Sequence, residues 1–199
     1  MYIFVGLGNP GKEYEETRHN TGRMLLEWFG KLHGAEWSDD KKFKAKISKV
    51  KVGKTNVTLV LPETFMNDSG KSLKVLFSPG VPSGGKQAEK MVVIYDDLDL
   101  PFGSAKISFN KSSGGHKGLE SIIKTVKTEK FPRIRVGISS TSLSGKIRKP
   151  QGEPLVMKHI LGKFKPGELI ELKKLSKKVN LALETFVSSG FEKTMTEFN

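Results

Sequence analysis

At 199 residues, the chain has the length of a single domain with a substantial hydrophobic core. Hydrophobic residues make up 36% of it and charged residues 28%, a composition that excludes a disordered chain. The absence of cysteine excludes disulfides, thiolate metal sites and a cysteine nucleophile, and it suits a reducing compartment. No apolar run is long enough to cross a bilayer, and no signal peptide opens the chain. We expect a soluble protein of the cytoplasm, or of the mitochondrial matrix if a leader has been removed.

The charge balance indicates a polyanionic partner. Thirty-four Lys and Arg residues against 21 Asp and Glu residues leave a formal net charge of +13. Each phosphate that a basic side chain neutralises releases counterions, so this excess favours nucleic acid. The alternative is a basic surface that is only solvated.

In the first half of the chain, apolar periodicity predicts a buried strand over 2–7 and a helix from about Asn20, whose side chain suits an N-cap, to Gly34. Alternation over 43–48 and 57–59 predicts a β-hairpin. The remaining predicted elements are a helix over 69–76, a loop over 78–86, strands over 91–95, 105–109 and 134–138, a helix over 117–127, a mobile surface loop over 142–153 and a last helix over 166–190. We predict a single α/β domain spanning the 199 residues, with a twisted mixed sheet flanked by helices.

The glycine-rich turn over 6–11 formally matches the dinucleotide-binding pattern G-x-G-x-x-G. The polar run over 12–18 delays the helix that should receive the pyrophosphate, and the acidic residue required further along would be Glu27, inside a helix. Nicotinamide binding is therefore disfavoured. The turn is better suited to placing Asn9, a donor and an acceptor, at the carboxyl end of the first strand.

Two histidines adjoin predicted loops and helix starts. His19 lies in a polar segment just before a helix, and position alone favours an ordinary solvent-facing side chain. His116 lies in a glycine-rich loop, where it could contact a substrate or simply start the next helix.

Three aspartates, Asp96, Asp97 and Asp99, follow the buried strand over 91–95, where open α/β sheets bind ligands. A magnesium site would need several oxygens on one side, but Asp96 and Asp97 point to opposite faces if the strand continues. As the partner of a histidine, one carboxylate is enough. No serine lies in a G-x-S-x-G elbow, so a serine-hydrolase triad lacks its nucleophile.

The segment over 62–70 exposes Phe65 close to the amide of Asn67. Its simplest interpretation is a turn with an N-cap; its functional one is an apolar ledge for a base beside a hydrogen-bonding group. On the last helix, Lys174 and Lys178 lie four residues apart and opposite the apolar face. They belong either to a solvated surface or to a track for phosphates.

In chain order, these segments resemble the bacterial-type peptidyl-tRNA hydrolase family. The matching segments are 5–11, Tyr14 with 17–20, 64–67 with 69–70, Asp96 with 98–101, 114–116 with 118–119, and 135–138. Beyond about residue 140, the chain matches mainly by residue type.

The resemblance implies one α/β domain, active as a monomer, that cleaves the ester between the peptide and the 3′ end of tRNA without a metal or other cofactor. It implies His19 as the catalytic base, Asp96 as its partner, Asn9 and Asn67 as contacts to the ester and the peptide backbone, and Tyr14 and Phe65 as the lining of the tRNA-end site; Lys117 stands at a proposed substrate contact. On their charge, Arg135, Lys174 and Lys178 are our candidates for contacts to the tRNA backbone. Imidazole has a pKa suited to taking a proton from water near neutral pH.

Two residues depart from the family pattern. The family commonly has Asn where this chain has Lys117, and often has His where it has Tyr95. Two other functions stay open: a non-catalytic RNA-binding relative, as in plant organelle splicing factors, and a metal-dependent phosphoesterase. Joint retention of His19, Asp96 and both asparagines argues against the first.

Overall fold

The structure is a computed structural model that describes residues 1–77 and 84–199. Its strands are β1 Tyr2–Gly6, β2 Ser38–Asp40, β3 Ala45–Val52, β4 Thr55–Pro62, β5 Met91–Pro101, β6 Ala105–Phe109, β7 Pro132–Thr141 and β8 Ile147–Arg148. Its α-helices are α1 Thr21–Leu32, α2 Gly84–Glu89, α3 Lys117–Val126, α4 Glu153–Ile160, α5 Pro166–Ser189 and α6 Phe191–Phe198. Three 3₁₀ helices cover Lys12–Tyr14, Arg18–Asn20 and Met66–Leu73.

One mixed sheet organises the fold, in the order β2-β3-β4-β1-β5-β7-β6, with β8 paired to β7. Strands β4, β1, β5 and β7 run parallel, and β3 forms the predicted antiparallel hairpin with β4. The carboxyl ends of these four parallel strands therefore meet at one edge of the sheet. Asn9 and Phe65 lie in the segments that follow β1 and β4, and Asp96 lies within β5, which continues beyond the predicted end at residue 95. Sheet topology therefore brings these residues together.

Both faces of the sheet are covered, because alternate strand residues point to opposite faces. Phe4 and Ile94 belong to the core under α1, α5 and α6, whereas Val5 and Val93 belong to the core under α3. All four side chains are fully buried. This layering confirms the predicted α/β class with helices flanking a mixed sheet. Among the described residues, no helix has the length and apolar character needed to span a membrane.

Several predicted elements differ from the structure. Asn20 does not cap α1 with its side chain, because that amide bonds both backbone groups of Asn9. The helix predicted over 69–76 is a 3₁₀ helix that begins at Met66. The segment predicted as a loop over 142–153 contains the short strand β8, and Gly190 separates α5 from the unpredicted helix α6. Of the loop predicted over 78–86, residues 78–83 lie outside the described residues and 84–86 are helical.

Candidate active site

A cleft of about 800 Å³ opens at the carboxyl edge of the parallel strands. Eight of the ten residues proposed for the site from the sequence line it: Asn9, Tyr14, His19, Phe65, Asn67, Asp96, Lys117 and Arg135. Lys174 and Lys178 do not line the cleft; they lie on the exposed face of α5, where Lys174 pairs with Glu171 at 2.7 Å. The residues that the sequence places near strand ends and in loops therefore meet in one cleft, whereas Lys174 and Lys178 belong to a separate surface.

His19 and Asp96 form a buried pair on the floor of the cleft. Nδ1 of His19 lies 3.0 and 3.1 Å from the two carboxylate oxygens of Asp96. The residues are 8% and 3% exposed, so water competes little for this contact. Because Nδ1 donates its proton to the carboxylate, Nε2 of the neutral ring keeps its lone pair.

His116 is a second donor to the same carboxylate, a contact that the sequence did not predict. It begins α3 as the N-cap, where its Nδ1 accepts from the backbone N–H of Leu119. The ring proton must therefore lie on Nε2, which donates to Oδ1 of Asp96 at 3.1 Å. The signal for this residue was its position just before a helix, which predicts a cap but not the contact to Asp96.

These contacts change the acidity of both partners. Burial lowers the pKa of His19, but the charge of Asp96 and the hydrogen bonds to it outweigh burial, so the net pKa lies above the usual 6.5. Burial raises the pKa of Asp96, yet His19 and His116 together hold it well below the usual range. Asp96 therefore stays ionised at neutral pH, and His19 is a stronger base than free imidazole.

Asn9 is held so that one part of its amide remains for a ligand. Its backbone N–H donates to Asn20 Oδ1 at 2.8 Å, and its carbonyl accepts from Asn20 Nδ2 at 2.9 Å. Its own Oδ1 accepts from the backbone N–H of Met66 at 2.7 Å. Within the described residues 1–77 and 84–199, Nδ2 of Asn9 donates no hydrogen bond and the exposed amide of Asn67 forms none. Both groups can therefore donate to a bound molecule.

The two long sides of the cleft differ from its floor. On one side, the rings of Tyr14 and Phe65 meet edge to face with centroids 6.4 Å apart, and Phe65 is 61% exposed. Another side is an apolar wall from α4, which the sequence did not predict as part of the site. Its members are Val156, Met157 and Ile160, and Leu161 extends it just after the helix ends. The cleft thus combines a polar floor with apolar sides, as sites for small organic groups do.

Charged side chains surround the mouth of the cleft. Asp97 accepts from Nε of Arg135 at 2.7 Å, on the opposite side of β5 from Asp96. This confirms that the two neighbouring aspartates point apart, as a continuing strand requires. Asp99 pairs with Lys149 at 2.6 Å. Lys117 is the exposed first residue of α3.

Comparisons with known proteins identify the family. The profile of the family described as peptidyl-tRNA hydrolase matches residues 3–199. A peptidyl-tRNA hydrolase from Listeria innocua is 38% identical, with both chains covered in full, and one from Prochlorococcus marinus is 35% identical, with 100% of this chain and 95% of the relative covered. The crystal structure of peptidyl-tRNA hydrolase from Acinetobacter baumannii has a TM-score of 0.85 at 29% identity, covering 100% of this chain and 94% of that one. This chain therefore belongs to the peptidyl-tRNA hydrolase family of enzymes.

Proposed function

We propose that the protein hydrolyses the ester between peptide and tRNA with a water molecule that His19 activates, and that it uses no metal. The observation that carries this proposal is the buried pair of His19 and Asp96. Asp96 fixes the proton of the ring on Nδ1 and leaves Nε2 as the base in the cleft. An imidazole held in this way is suited to general-base chemistry near neutral pH.

The reaction follows from that tautomer. Nε2 of His19 takes a proton from water while the oxygen adds to the carbonyl carbon of the ester. Asp96 stabilises the imidazolium that forms, and the Nδ2 group of Asn9 is available to donate to the developing oxyanion. When the intermediate collapses, the bond to the ribose oxygen breaks and the imidazolium returns its proton to that oxygen. The products are tRNA and a free peptide acid, which releases the remaining proton of the water to solvent and becomes a carboxylate.

Substrate recognition divides between the walls of the cleft. The amide of Asn67 can bind a peptide backbone whatever the side chains, as a general rescue enzyme requires. Tyr14 and Phe65 offer ring faces for the terminal base. We assign Lys117 to the terminal phosphate or ribose. Arg135, Lys174 and Lys178 are assigned to the tRNA backbone. We further propose that the enzyme acts as a monomer in the cytoplasm, or in the mitochondrial matrix if a leader has been removed.

The hydrogen bonds on the floor support metal-free chemistry over a metal-dependent phosphoesterase. Ligand atoms of His19, Asp96 and His116 lie within 4.8 Å of one another, a spacing that would suit a metal ion. His116, however, cannot move its proton from Nε2 to Nδ1 without losing the bond from Leu119, and the carboxylate of Asp96 at 3.0 Å favours a proton on Nδ1 of His19. A metal would need lone pairs where these N–H groups lie.

The deciding experiment is hydrolysis of an N-acetylated aminoacyl-tRNA in excess chelator, with the unblocked aminoacyl-tRNA as the control substrate. We expect full turnover of the blocked substrate. A non-catalytic RNA-binding protein would bind without turnover, and such a result would contradict the proposed activity. Turnover that is lost in chelator and restored by divalent ions would instead contradict the metal-free mechanism.

A further inference from the structure

The chain that follows β7 forms an ordered β-hairpin at the mouth of the cleft. Ser140 and Thr141 pair with Arg148 and Ile147 of β8. The turn between them is closed by a 2.8 Å bond from the backbone N–H of Ser142 to the carbonyl of Lys146. We refer to residues 140–149 as the basic hairpin. Its backbone bonds indicate a defined surface rather than an unstructured loop.

The basic hairpin is joined directly to the cleft. It rises from the carboxyl end of β7, which lies beside β5. Its last residue, Lys149, lines the cleft and bonds Asp99 at 2.6 Å, and Pro150 lines the cleft next to it. A ligand chain that leaves the cleft past Lys149 and Pro150 would therefore lie beside the hairpin.

The hairpin carries cations but no anions. Between residues 139 and 152, the sequence contains Lys146, Arg148 and Lys149 and no acidic residue. Asp99 neutralises Lys149, whereas neither Lys146 nor Arg148 has a carboxylate partner within the described ranges 1–77 and 84–199. Both side chains are exposed: Lys146 closes the turn of the hairpin and Arg148 lies on β8, two residues further along.

We propose that the basic hairpin binds phosphates of the tRNA acceptor arm through Lys146 and Arg148. This inference rests on the proposed function, since an ester at the 3′ end of tRNA places the neighbouring phosphates just outside the cleft. Two exposed cations without anionic neighbours gain counterion release from such contacts. The single exposed apolar residue of the tip, Leu143, is too small a surface to favour a membrane over RNA.

The test is a double substitution, Lys146→Gln with Arg148→Gln, against the control Lys51→Gln with Lys54→Gln. The control removes the same charge from the β3–β4 turn, at the opposite edge of the sheet. Lys149 is left unchanged because it lines the cleft. Steady-state kinetics with N-acetylated aminoacyl-tRNA are measured across a salt series. A parallel series uses an N-acetylated aminoacyl ester of a short CCA oligonucleotide.

We expect KM for the full tRNA to rise roughly 5- to 10-fold in the hairpin variant at low salt, with kcat within about two-fold of wild type. The slope of log KM against log salt should flatten by about 1.5, as two lost phosphate contacts predict. An equal effect on the CCA ester assigns the contacts to the single-stranded end, and an effect on full tRNA alone assigns them to the stem. KM and slopes equal to those of wild type or the control variant on both substrates would overturn the proposal.

Failure of the proposed hydrolase activity can be distinguished from failure of the hairpin proposal. If wild-type protein does not turn over the ester at all, affinity for deacylated tRNA is compared between the two double variants. A hairpin variant that binds tRNA as tightly as the control contradicts the hairpin proposal whatever the outcome of the hydrolysis assay.

Discussion

The floor of the cleft and its rim hold charge in two different ways. On the floor, Asp96 is 3% exposed and accepts from His19 and His116, so solvent has little access to replace a lost partner. On the rim, Lys117 and Arg148 are exposed, and neither has a carboxylate partner in the part of the chain that the structure describes. A buried charge depends on each hydrogen bond it accepts, whereas an exposed cation acts through a field that salt screens. Changes on the floor should therefore alter turnover, and changes on the rim should alter affinity.

The largest effect is expected for His19→Ala. Removing the base should lower kcat on the order of 10²–10⁴-fold, while affinity for tRNA stays near the wild-type value. Hydrolysis of the N-acetylated substrate and binding of deacylated tRNA measure the two quantities. The thermal unfolding midpoint serves as the control for folding. A variant whose turnover stays within a few-fold of wild type would remove His19 from the mechanism.

Asp96→Asn should reduce turnover less, roughly 10- to 10²-fold, because the imidazole itself remains. It should also move the pH profile. A base acts in its neutral form, so kcat/KM of the wild type rises with pH through the raised pKa of His19, which lies above 6.5. Without the carboxylate, burial still lowers the pKa of His19 and its main opposing influence is gone. The acidic limb should therefore shift to lower pH. An unchanged acidic limb would show that Asp96 does not set the pKa of His19.

The sequence predicted the pair of His19 and Asp96 on the floor of the site, but not the contact that His116 makes with Asp96. His19 lies between β1 and α1, and Asp96 lies in β5, which pairs with β1, so motif order and sheet topology bring them together. His116 was missed as a partner of Asp96 because its local signal indicates only a helix start. The chain must cross from β6 to α3 before its ring meets the carboxylate. Such a contact depends on tertiary packing, which residue periodicity does not encode.

The sides of the cleft were predictable only in part. The exposed Phe65 followed from an apolar residue in a polar turn, whereas α4 lies in a region where the sequence pattern indicated no site. The helix is short, with apolar residues that face both the core and the cleft, so its periodicity is weak. The side chain of Asn20 was misassigned because an amide that suits a cap can also bind a neighbouring loop.

Basic residues outside the floor of the cleft should control how the affinity for tRNA depends on salt. We expect the affinity of the wild type for tRNA to fall steeply with salt, because of its net charge of +13. Reversing charge with Lys174→Glu and Lys178→Glu should weaken binding about 10-fold at low salt and flatten the salt plot without altering kcat at saturation. Binding affinities measured across a salt series give both the loss of affinity and the slope of the salt plot. An unchanged slope would remove α5 from the interface and leave the basic hairpin as the stronger candidate.

The smallest effect is expected at Lys117, where the chain departs from the family. As the first residue of α3, Lys117 lies at the positive end of the helix dipole, a position that disfavours a cation by about 0.3–1 kcal/mol. The helix dipole therefore gives no reason for a lysine here, and we attribute it to the proposed charge contact with substrate. Lysine offers only donors, whereas asparagine also offers an acceptor.

Lys117→Asn should leave kcat near wild type and raise KM about two- to three-fold at moderate salt, with the difference shrinking at high salt as screening removes the charge contact. The matched control is Lys124→Asn on the same helix, where the exposed side chain lies beside Glu120. Unchanged kcat and KM would identify Lys117 as a solvated residue without a substrate contact. A strong increase in kcat at saturating substrate would mean that the lysine obstructs the reaction, since an amide at the start of α3 would then serve the bound ester better than a charge.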